Sequence, residues 1–323
     1  MRKYTALFIT AALMLTLTAC TGAGAREQVI IAGSTSVQPY VGAIAEDYAI
    51  EFEVKVNVQG GGSGNGITSA KSGTADIGMS SRALKEEEIE HFTDKEAPES
   101  VRDFYTWYHR NNDGWDGKIP NYVIIARDGL ALIMHRNNPV TVLTTEQVRG
   151  IYTGKVTHWC MLRLENHPPR TSDCCTRKEE IHVFTREEGS GTRTVFEEEM
   201  MTYKDAAGEK VVEFISNKAM VQSTNGTIKA NVEGNPQAIG YISLGMVDKD
   251  VKGVELNGIA PTVENVNAGL YTFYRPFLFV LNPHRDHSKA TLDFISYILS
   301  ERGQKDLADD GLVPVRAFER EGE

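Results

Sequence analysis

Beyond its first 19 residues, this chain of 323 residues has no apolar run long enough to cross a bilayer. It also has little positive charge, with 34 Lys and Arg against 44 Asp and Glu and a formal net charge of −10. Proteins that bind nucleic acid usually carry a basic face, so this balance argues against nucleic acid as a partner. Low-complexity tracts and internal repeats are missing too, which argues against fibrous and repeat architectures. With 41% hydrophobic and 24% charged residues, the composition is that of an ordinary globular protein.

The N-terminus has the pattern of an export signal. Arg2 and Lys3 precede an apolar stretch that is too short for a comfortable membrane span, so residues 1–19 are predicted to be a signal peptide. The stretch ends in Leu-Thr-Ala-Cys at Cys20, which resembles the bacterial lipobox. The resemblance implies a lipidated Cys20 that anchors the protein to the outer face of the cytoplasmic membrane, with residues 20–28 as a tether. An ordinary secretory peptide with a chance cysteine is the alternative.

Cysteine is scarce as well, and only Cys160, Cys174 and Cys175 follow the tether. An exported protein can keep disulfides, but an odd number leaves at least one thiol free or paired with another chain. His158 and His167 lie among these cysteines, yet the spacing matches no standard zinc motif. Three states stay open, namely a disulfide from Cys160 to Cys174 or Cys175, a zinc site, and reduced thiols. We favour the disulfide and expect no resident metal or cofactor.

Apolar periodicity predicts strands that alternate with helices, and therefore an α/β fold. From residue 20 onward about 300 residues remain, which is enough for two hydrophobic cores. Asp128 and Gly129 are predicted to separate two strands, and Thr35 with Gln38 fits a capping box for the first helix. The predicted strands are 29–33, 54–58, 75–79, 122–127, 130–135, 181–185, 237–243 and 271–281.

Three of the predicted strands run into glycines and hydroxyl residues at the start of a helix. The segments are GSTS at 33–36, GGGSGNG at 60–66 and REEGSGT at 186–192. A helix N-terminus offers unpaired N–H donors and a partial positive charge, glycine lets an anion approach the backbone, and hydroxyls add neutral donors. Because such strand ends meet at one edge of an open α/β sheet, the sequence predicts a site for a tetrahedral oxyanion.

Attraction of an anion must be local, because the chain as a whole is acidic. Removing residues 1–19 deletes two basic and no acidic residues, so the net charge falls from −10 to −12. Arg186 is the strongest cationic candidate, since it ends a predicted strand five residues before Gly191 and its planar fork can hold two oxygens. A surface salt bridge with Glu187 or Glu188 is the alternative role for this arginine.

The glycine-rich segments carry no catalytic pattern. They are not followed by Gly-Lys-Ser or Gly-Lys-Thr, as a P-loop requires. Ser190 lies between two glycines but lacks the full Gly-x-Ser-x-Gly elbow, since Glu188 replaces the first glycine. The sequence also shows no paired metal-binding carboxylates and no Ser-x-x-Lys motif. We therefore expect a binding protein rather than an enzyme such as a phosphatase.

Six segments of the chain, taken in order, closely resemble the phosphate-binding proteins of bacterial phosphate ABC transporters. The resemblance runs from about residue 29 to 315 and is broken by two insertions. The segments are GSTSVQP (33–39), GGGSGNGI (60–67), ADIGMSSR (75–82), REEGSGTR (186–193), NPQAIGYISLG (235–245) and YRPF (274–277).

The resemblance implies a two-lobed α/β fold of the type II periplasmic-binding-protein kind, in which a hinge joins the lobes and the ligand lies in the cleft between them. The first lobe would comprise residues 29–128 and 273–323, and the second lobe residues 129–272. The implied ligand is inorganic phosphate, and the implied partners are the membrane permease subunits of an ABC importer. The protein would work as a monomer outside the cytoplasmic membrane.

The resemblance also implies which residues hold phosphate. Thr35 and Ser36 would donate from the first helix, Ser63 from the glycine turn, and Ser81 from the end of the third strand. Arg186 and the turn that follows it would close the site from the second lobe. The complete predicted set is Ser34, Thr35, Ser36, Ser63, Ser80, Ser81, Arg186, Gly189, Ser190, Gly191 and Thr192.

Ser81 departs from part of the family, because some members carry aspartate at this position. A carboxylate that only accepts hydrogen bonds favours the proton of hydrogen phosphate and repels sulfate, whereas a serine does not repel it. Sulfate or molybdate therefore stay alternative ligands, and a phosphate-binding scaffold used for adhesion or signalling is a further alternative. Arg82 either adds a second cation or faces solvent, and Asp76 is expected to be structural.

Two insertions interrupt the resemblance. The first, residues 97–121, is rich in aromatic residues. We expect a surface hairpin with its own aromatic cluster, and a docking surface for another protein is the alternative. The second insertion, residues 158–175, carries the histidines and cysteines described above.

Overall fold

The computed structural model describes residues 27–92, 122–162 and 180–315. Among these residues, no helix combines the length and apolar character that a membrane span needs. The strands are β1 (Gln28–Gly33), β2 (Lys55–Gly60), β3 (Ile77–Ser80), β4 (Tyr122–His135), β5 (Val142–Leu143), β6 (His182–Arg186), β7 (Thr202–Lys204), β8 (Lys210–Val212), β9 (Met220–Gln222), β10 (Ala238–Ser243), β11 (Val251–Gly253), β12 (Glu255–Leu256), β13 (Tyr274–Val280) and β14 (Val313–Pro314). The helices are α1 (Gln38–Phe52), α2 (Ser63–Ser72), α3 (Glu86–Phe92), α4 (Thr145–Tyr152), α5 (Gly191–Phe196), α6 (Asn225–Glu233), α7 (Val263–Asn267), α8 (Lys289–Ile298) and α9 (Glu301–Asp309).

Ten of the described strands form one continuous sheet. Their order is β2-β1-β3-β13-β4-β10-β6-β9, with β11 and β14 also paired to β4. The strands β2, β1 and β3 are mutually parallel, and so are β10, β6 and β9. Between these two groups, β13 and β4 run antiparallel to their neighbours. The sheet therefore has two parallel halves, and each half has its own carboxyl edge at which loops can build a site.

The predicted break at Asp128 and Gly129 is wrong, because β4 is a single strand of 14 residues. Its first part pairs with β13 up to Gly129 opposite Tyr274. Its second part, from Leu130 onward, pairs with β10. Backbone partners on both sides of the Asp-Gly pair keep the chain extended. The carboxylate of Asp128 is also bound by Arg275 and does not fold back onto its own backbone to form a turn.

The two largest hydrophobic cores of the described residues lie on either side of this point, and a third, smaller cluster joins α2 to β13. One core contains Leu130–Met134 of β4 together with apolar residues up to Phe273, and also Val313 of β14. The other contains Val123, Ile125 and Ala126 of β4, apolar residues of β1, α1 and β3, and several apolar residues between Phe277 and Leu312. These cores define the two lobes of the molecule. We call Asp128–Leu130 of β4 and residues 273–275, at the start of β13, the hinge, because the chain passes between the two cores there.

The first helix begins differently from the prediction. Its N-cap is Val37, which has no side-chain cap, so the predicted capping box of Thr35 and Gln38 is absent. Instead, the hydroxyl oxygen of Ser34 accepts from the N–H groups of Ser36 and Val37. The hydroxyl of Thr35 is thus released from the helix end and accepts a hydrogen bond from Arg186 of the other lobe.

Candidate functional site

Hydroxyl side chains from all three glycine-rich segments and from the end of β3 meet between the lobes. Ser36 Oγ of the first lobe lies 2.9 Å from Thr192 Oγ1 of the second, and Ser63 Oγ lies 3.2 Å from Ser81 Oγ. Each of these four residues is at most 1% exposed. Together with the partly exposed Thr35 they form what we call the hydroxyl cluster.

Two helix ends point into the hydroxyl cluster. Helix α2 begins at Ser63, and helix α5 begins at Gly191 after the N-cap Ser190, whose hydroxyl accepts from the N–H of Arg193. Glycine at 191 is needed for the approach of the lobes, because a Cβ there would lie 2.4 Å from Ser63 Oγ and 2.7 Å from Ser81 Oγ. The N–H donors at the start of both helices therefore lie close to the same small volume.

Arg186, at the end of β6, is both buried and ion-paired with Glu187. It is 1% exposed, and its Nε and Nη2 each donate to Glu187 at 2.9 Å. Nη2 also donates to Thr35 Oγ1 of the first lobe at 2.9 Å. The salt bridge that the sequence left as an alternative is present, yet it orients the guanidinium toward the cluster rather than holding it at the surface.

Asn225 belongs to the site and is missing from the predicted set. Its Oδ1 accepts from Arg186 Nη1 at 3.0 Å, and its Nδ2 donates to Ser36 Oγ at 2.8 Å. It is fully buried at the start of α6, where Thr224 forms the N-cap. The sequence did carry a signal, because a strand that runs into Ser-Thr-Asn-Gly at a helix start is a fourth copy of the same design.

Arg275 and Asp128, which lie in the hinge, are also missing from the predicted set of site residues. Arg275 donates through Nε at 3.0 Å and Nη2 at 2.9 Å to Oδ2 of Asp128, and both side chains have no solvent exposure. The remaining nitrogen, Nη1, donates to Thr192 Oγ1 at 2.7 Å and lies 3.4 Å from Ser81 Oγ. Burial raises the pKa of Asp128, while the charge of Arg275 and the hydroxyl of Ser243 act in the opposite direction.

The other predicted residues have local roles in the described structure. Ser34 bonds its own turn, as stated above, and the hydroxyl of Ser80 donates to the carbonyl of Arg82 at 2.9 Å. Ser190 caps α5. Gly189 is exposed at the rim, where its carbonyl accepts from the N–H of Gly64 across the lobes at 3.1 Å. These residues therefore shape the loops that carry the hydroxyl cluster.

Both predicted roles for Arg82 are wrong. The residue is 4% exposed, and its guanidinium binds both carboxylate oxygens of Glu88, at 2.7 Å and 2.8 Å, and the carbonyl of Ala83. It is therefore neither a solvent-facing residue nor a contact of the hydroxyl cluster. The structural role expected of Asp76 is confirmed, since its Oδ2 accepts from the N–H of Ile30 at 2.9 Å.

The second insertion is described only at its edges. Cys160 forms a disulfide, so the predicted disulfide of this cysteine is confirmed and its sulfur is not available as a zinc ligand. Its partner lies outside the described residues, as do His167 and the whole of residues 97–121. In the described part of the chain, no three His, Cys, Asp or Glu residues are placed to hold a metal ion together.

The profile of the PBP superfamily domain matches residues 18–302, which is most of the chain. The chain belongs to the PBP superfamily. Among solved structures, it is similar to a Clostridium perfringens protein described as a phosphate ABC transporter substrate-binding protein with bound phosphate. The identity is 35%, the match covers 90% of this chain and 100% of that chain, and the TM-score is 0.70. An ABC-type phosphate transport receptor from Vibrio cholerae is 32% identical, with 89% and 99% coverage and a TM-score of 0.59. The predicted two-lobed α/β fold is thereby confirmed.

Curated relatives carry related names. The phosphate-binding protein PstS 2 of Streptococcus agalactiae is 38% identical over 136 residues, which is 42% of this chain and 46% of that protein. The match thus spans about half the length of this relative. The phosphate-binding protein PstS of Bacillus subtilis is 24% identical over 334 residues, with 97% of this chain and 94% of the relative covered.

Proposed function

We propose that this protein binds inorganic phosphate between its two lobes. The observation that carries the proposal is the buried hydroxyl cluster, closed from the second lobe by Arg186 and Asn225. A site with many N–H and O–H donors and a cation suits a tetrahedral oxyanion. The relatives named as phosphate-binding proteins, and the similar structure with bound phosphate, support phosphate as that anion.

Burial sets the energetic requirement for such a ligand. A doubly charged anion transferred from water into this interior loses its hydration, so nearly all of its oxygens need protein donors. Hydrogen bonds to a charged group contribute roughly 1.5–3 kcal/mol each. Several such bonds from the hydroxyl cluster, the two helix ends and Arg186 are enough for micromolar or tighter affinity.

Closure of the lobes follows from the same contacts. The hydrogen bonds Arg186 to Thr35 and Asn225 to Ser36 join residues that belong to opposite lobes. An anion held by both sets of donors adds binding energy only in the closed arrangement, so it shifts the equilibrium toward closure about the hinge.

We further propose that the protein delivers phosphate to the permease subunits of an ABC importer, as a monomer outside the cytoplasmic membrane and not as an enzyme. The names of the relatives support the transport role. The lipobox resemblance at Cys20 supports a lipid anchor on the outer face of that membrane.

A second candidate ligand is another tetrahedral oxyanion, such as sulfate or molybdate. Ser81, which faces the cluster, can both donate and accept, so it does not repel a fully ionised anion. The carboxylates of Glu187 and Asp128 accept from the nitrogens of Arg186 and Arg275, the two arginines that contact the cluster.

Isothermal titration of the exported protein, purified in detergent and freed of bound anion by unfolding and refolding without reductant, tests the proposal. We expect phosphate to bind with a dissociation constant in the micromolar range or below, and arsenate to compete. Sulfate and molybdate are titrated in parallel. No heat with phosphate would contradict the proposal, and equal affinity for sulfate would favour the second candidate.

A further inference from the structure

Two guanidinium groups approach the same hydroxyl oxygen from different elements of the fold. Arg275 Nη1 of β13 donates to Thr192 Oγ1 at 2.7 Å, and Arg186 Nη1 of β6 lies 3.5 Å from that oxygen. Both arginines are 1% exposed. Like charges in an interior of low dielectric constant repel each other strongly. An anion held by both groups would relieve this repulsion.

The electrostatic environment of Arg275 agrees with this geometry. Burial lowers the pKa of its guanidinium, and the positive charge of Arg186 acts in the same direction. Asp128 opposes both effects most strongly, through its charge and its hydrogen bonds, and Tyr40 adds a smaller effect in the same direction as Asp128. The three side chains therefore form one coupled set inside the molecule.

Asp128 also fixes the direction in which Arg275 donates. The planar guanidinium has five N–H groups in a rigid fork. Nε and Nη2 bind Oδ2 of Asp128, while Oδ1 accepts from Ser243 Oγ at 2.7 Å. Because one edge of the fork is held in this way, Nη1 has to face Thr192 and Ser81.

The position of this pair in the fold gives it a second property. Arg275 and Asp128 are direct partners in the antiparallel pairing of β13 and β4. They lie in the hinge, where the chain passes between the two cores. A cation there belongs to neither lobe alone, so an anion that contacts it links both lobes to the hinge.

We propose that Arg275 is a second anion-binding cation of the site, oriented by Asp128, and that it makes the site favour the doubly charged form of a tetrahedral oxyanion. This inference rests on the proposed function. Asp128 acts only through Arg275 and is a positioning residue.

The test replaces both charges at once, with Asp128→Asn and Arg275→Gln in the same chain. Amide side chains keep hydrogen-bonding capacity and avoid leaving one buried charge without its partner. Because one or two hydrogen bonds to a charged ligand are lost, we expect phosphate to bind about 30-fold more weakly than to the wild type. Phosphorus NMR of the bound ligand across a pH series should show that phosphate takes up its proton at a higher pH than in the wild type.

The matched control is Arg82→Gln with Glu88→Gln, because in this ion pair Arg82 is also buried and Glu88 is half-buried, while the guanidinium bonds Glu88 and Ala83 and not the hydroxyl cluster. We expect its phosphate affinity to stay within about threefold of the wild type.

Thermal unfolding reports whether each variant is folded. If the double variant of Asp128 and Arg275, which we call the hinge variant, does not fold, Arg275→Lys replaces it. Lysine keeps the charge but has no planar fork that could bind Asp128 and the anion together. For this variant we expect phosphate to bind about tenfold more weakly than to the wild type.

The outcomes separate this inference from the proposed function. If wild-type protein binds no phosphate, both are overturned. If it binds phosphate, and the folded hinge variant binds with unchanged affinity and an unchanged protonation profile, the inference alone is overturned. If the Arg82 and Glu88 control weakens binding as much as the hinge variant does, the effect is a general one of removing a buried pair and the inference is again overturned.

Discussion

At the scale of single residues, Thr192 has the hydroxyl with the most contacts in the hydroxyl cluster. Its hydroxyl oxygen is 2.9 Å from Ser36 Oγ, 2.7 Å from Arg275 Nη1 and 3.5 Å from Arg186 Nη1. A hydroxyl can donate one hydrogen bond and accept two, so it can serve the anion and the arginines together. Loss of this one oxygen removes a shared contact of both lobes and the hinge.

We therefore expect Thr192→Val to weaken phosphate binding about tenfold, because one hydrogen bond to a charged ligand is lost with almost no change in side-chain shape. Isothermal titration measures the change. Thr194→Val is the matched control, since the hydroxyl of Thr194 donates only to the carbonyl of Ser190 in the same helix. Equal affinity of the Thr192 variant and the wild type would show that this hydroxyl does not face the ligand.

Residue roles could be predicted from the sequence where the signal is local. The pattern of glycine and hydroxyl residues lies within seven consecutive positions, and the side chains of Thr35, Ser36, Ser63 and Thr192 that it singled out do meet between the lobes. Their contact with phosphate stays a prediction. The role of Arg275 depends on Asp128, which is 147 positions away along the chain. No local pattern can reveal such a partner, so the buried pair emerged only from the pairing of β4 and β13.

At the scale of elements, Gly191 is where helix α5 of the second lobe meets helix α2 of the first. Ser63 Oγ and Ser81 Oγ occupy the space that a Cβ at this position would need. Alanine is favourable within a helix, so the substitution does not harm α5 itself. It should instead keep the two helix ends apart or turn both hydroxyls away from the anion.

We expect Gly191→Ala to weaken phosphate binding by about 100-fold while the midpoint of thermal unfolding without ligand stays close to that of the wild type. Titration and thermal unfolding, each with and without phosphate, separate the two effects. Gly42→Ala in α1 is the control, because a Cβ at Gly42 meets no atom within 4 Å. Wild-type affinity of the Gly191 variant would contradict close approach of the two helices in the bound state.

Seven of the fourteen described strands could be predicted from periodicity, and the other seven have only two or three residues, too few to show a period. Two further misreadings have a common cause. The Asp-Gly pair at 128 and 129 has the composition of a turn, yet it lies in the middle of β4. Thr35 has the composition of a cap, yet it bonds to Arg186. In both places a contact with a distant element overrides the local preference. Both positions also belong to the hinge or to the hydroxyl cluster, where local rules are expected to fail.

At the scale of the whole molecule, the net charge opposes the proposed ligand. The chain after residue 19 carries a formal charge of −12. Its field repels an anion outside the cleft over about 30 Å at 10 mM salt but over only about 8 Å at physiological salt. The buried cations act only at short range, once the anion has entered the cleft. Affinity and rate of capture should therefore respond differently to salt.

We expect the association rate of phosphate to rise by about twofold between 10 and about 150 mM sodium chloride, because salt screens the long-range repulsion. Stopped-flow intrinsic fluorescence measures the rate. The dissociation rate is the internal control, since contacts inside the closed site are screened much less. A fall in the association rate with added salt would show that the entrance to the cleft is locally positive and dominates the field.

The order in which the core residues follow one another along the chain has a consequence for how the protein is made. The core that contains Val29 and Ile31 also contains Phe294, Ile298 and Leu312, whereas the other core is almost complete by Phe273. If the chain crosses the membrane N-terminus first, as the proposed export implies, then β1, α1 and β3 emerge long before α8 and α9 arrive to cover them. Until then, apolar side chains of the first lobe are exposed, so they can aggregate or be bound by chaperones. The second lobe can fold earlier. Folding of the first lobe is then the slow and aggregation-prone step, because it waits for the last 40 or so residues.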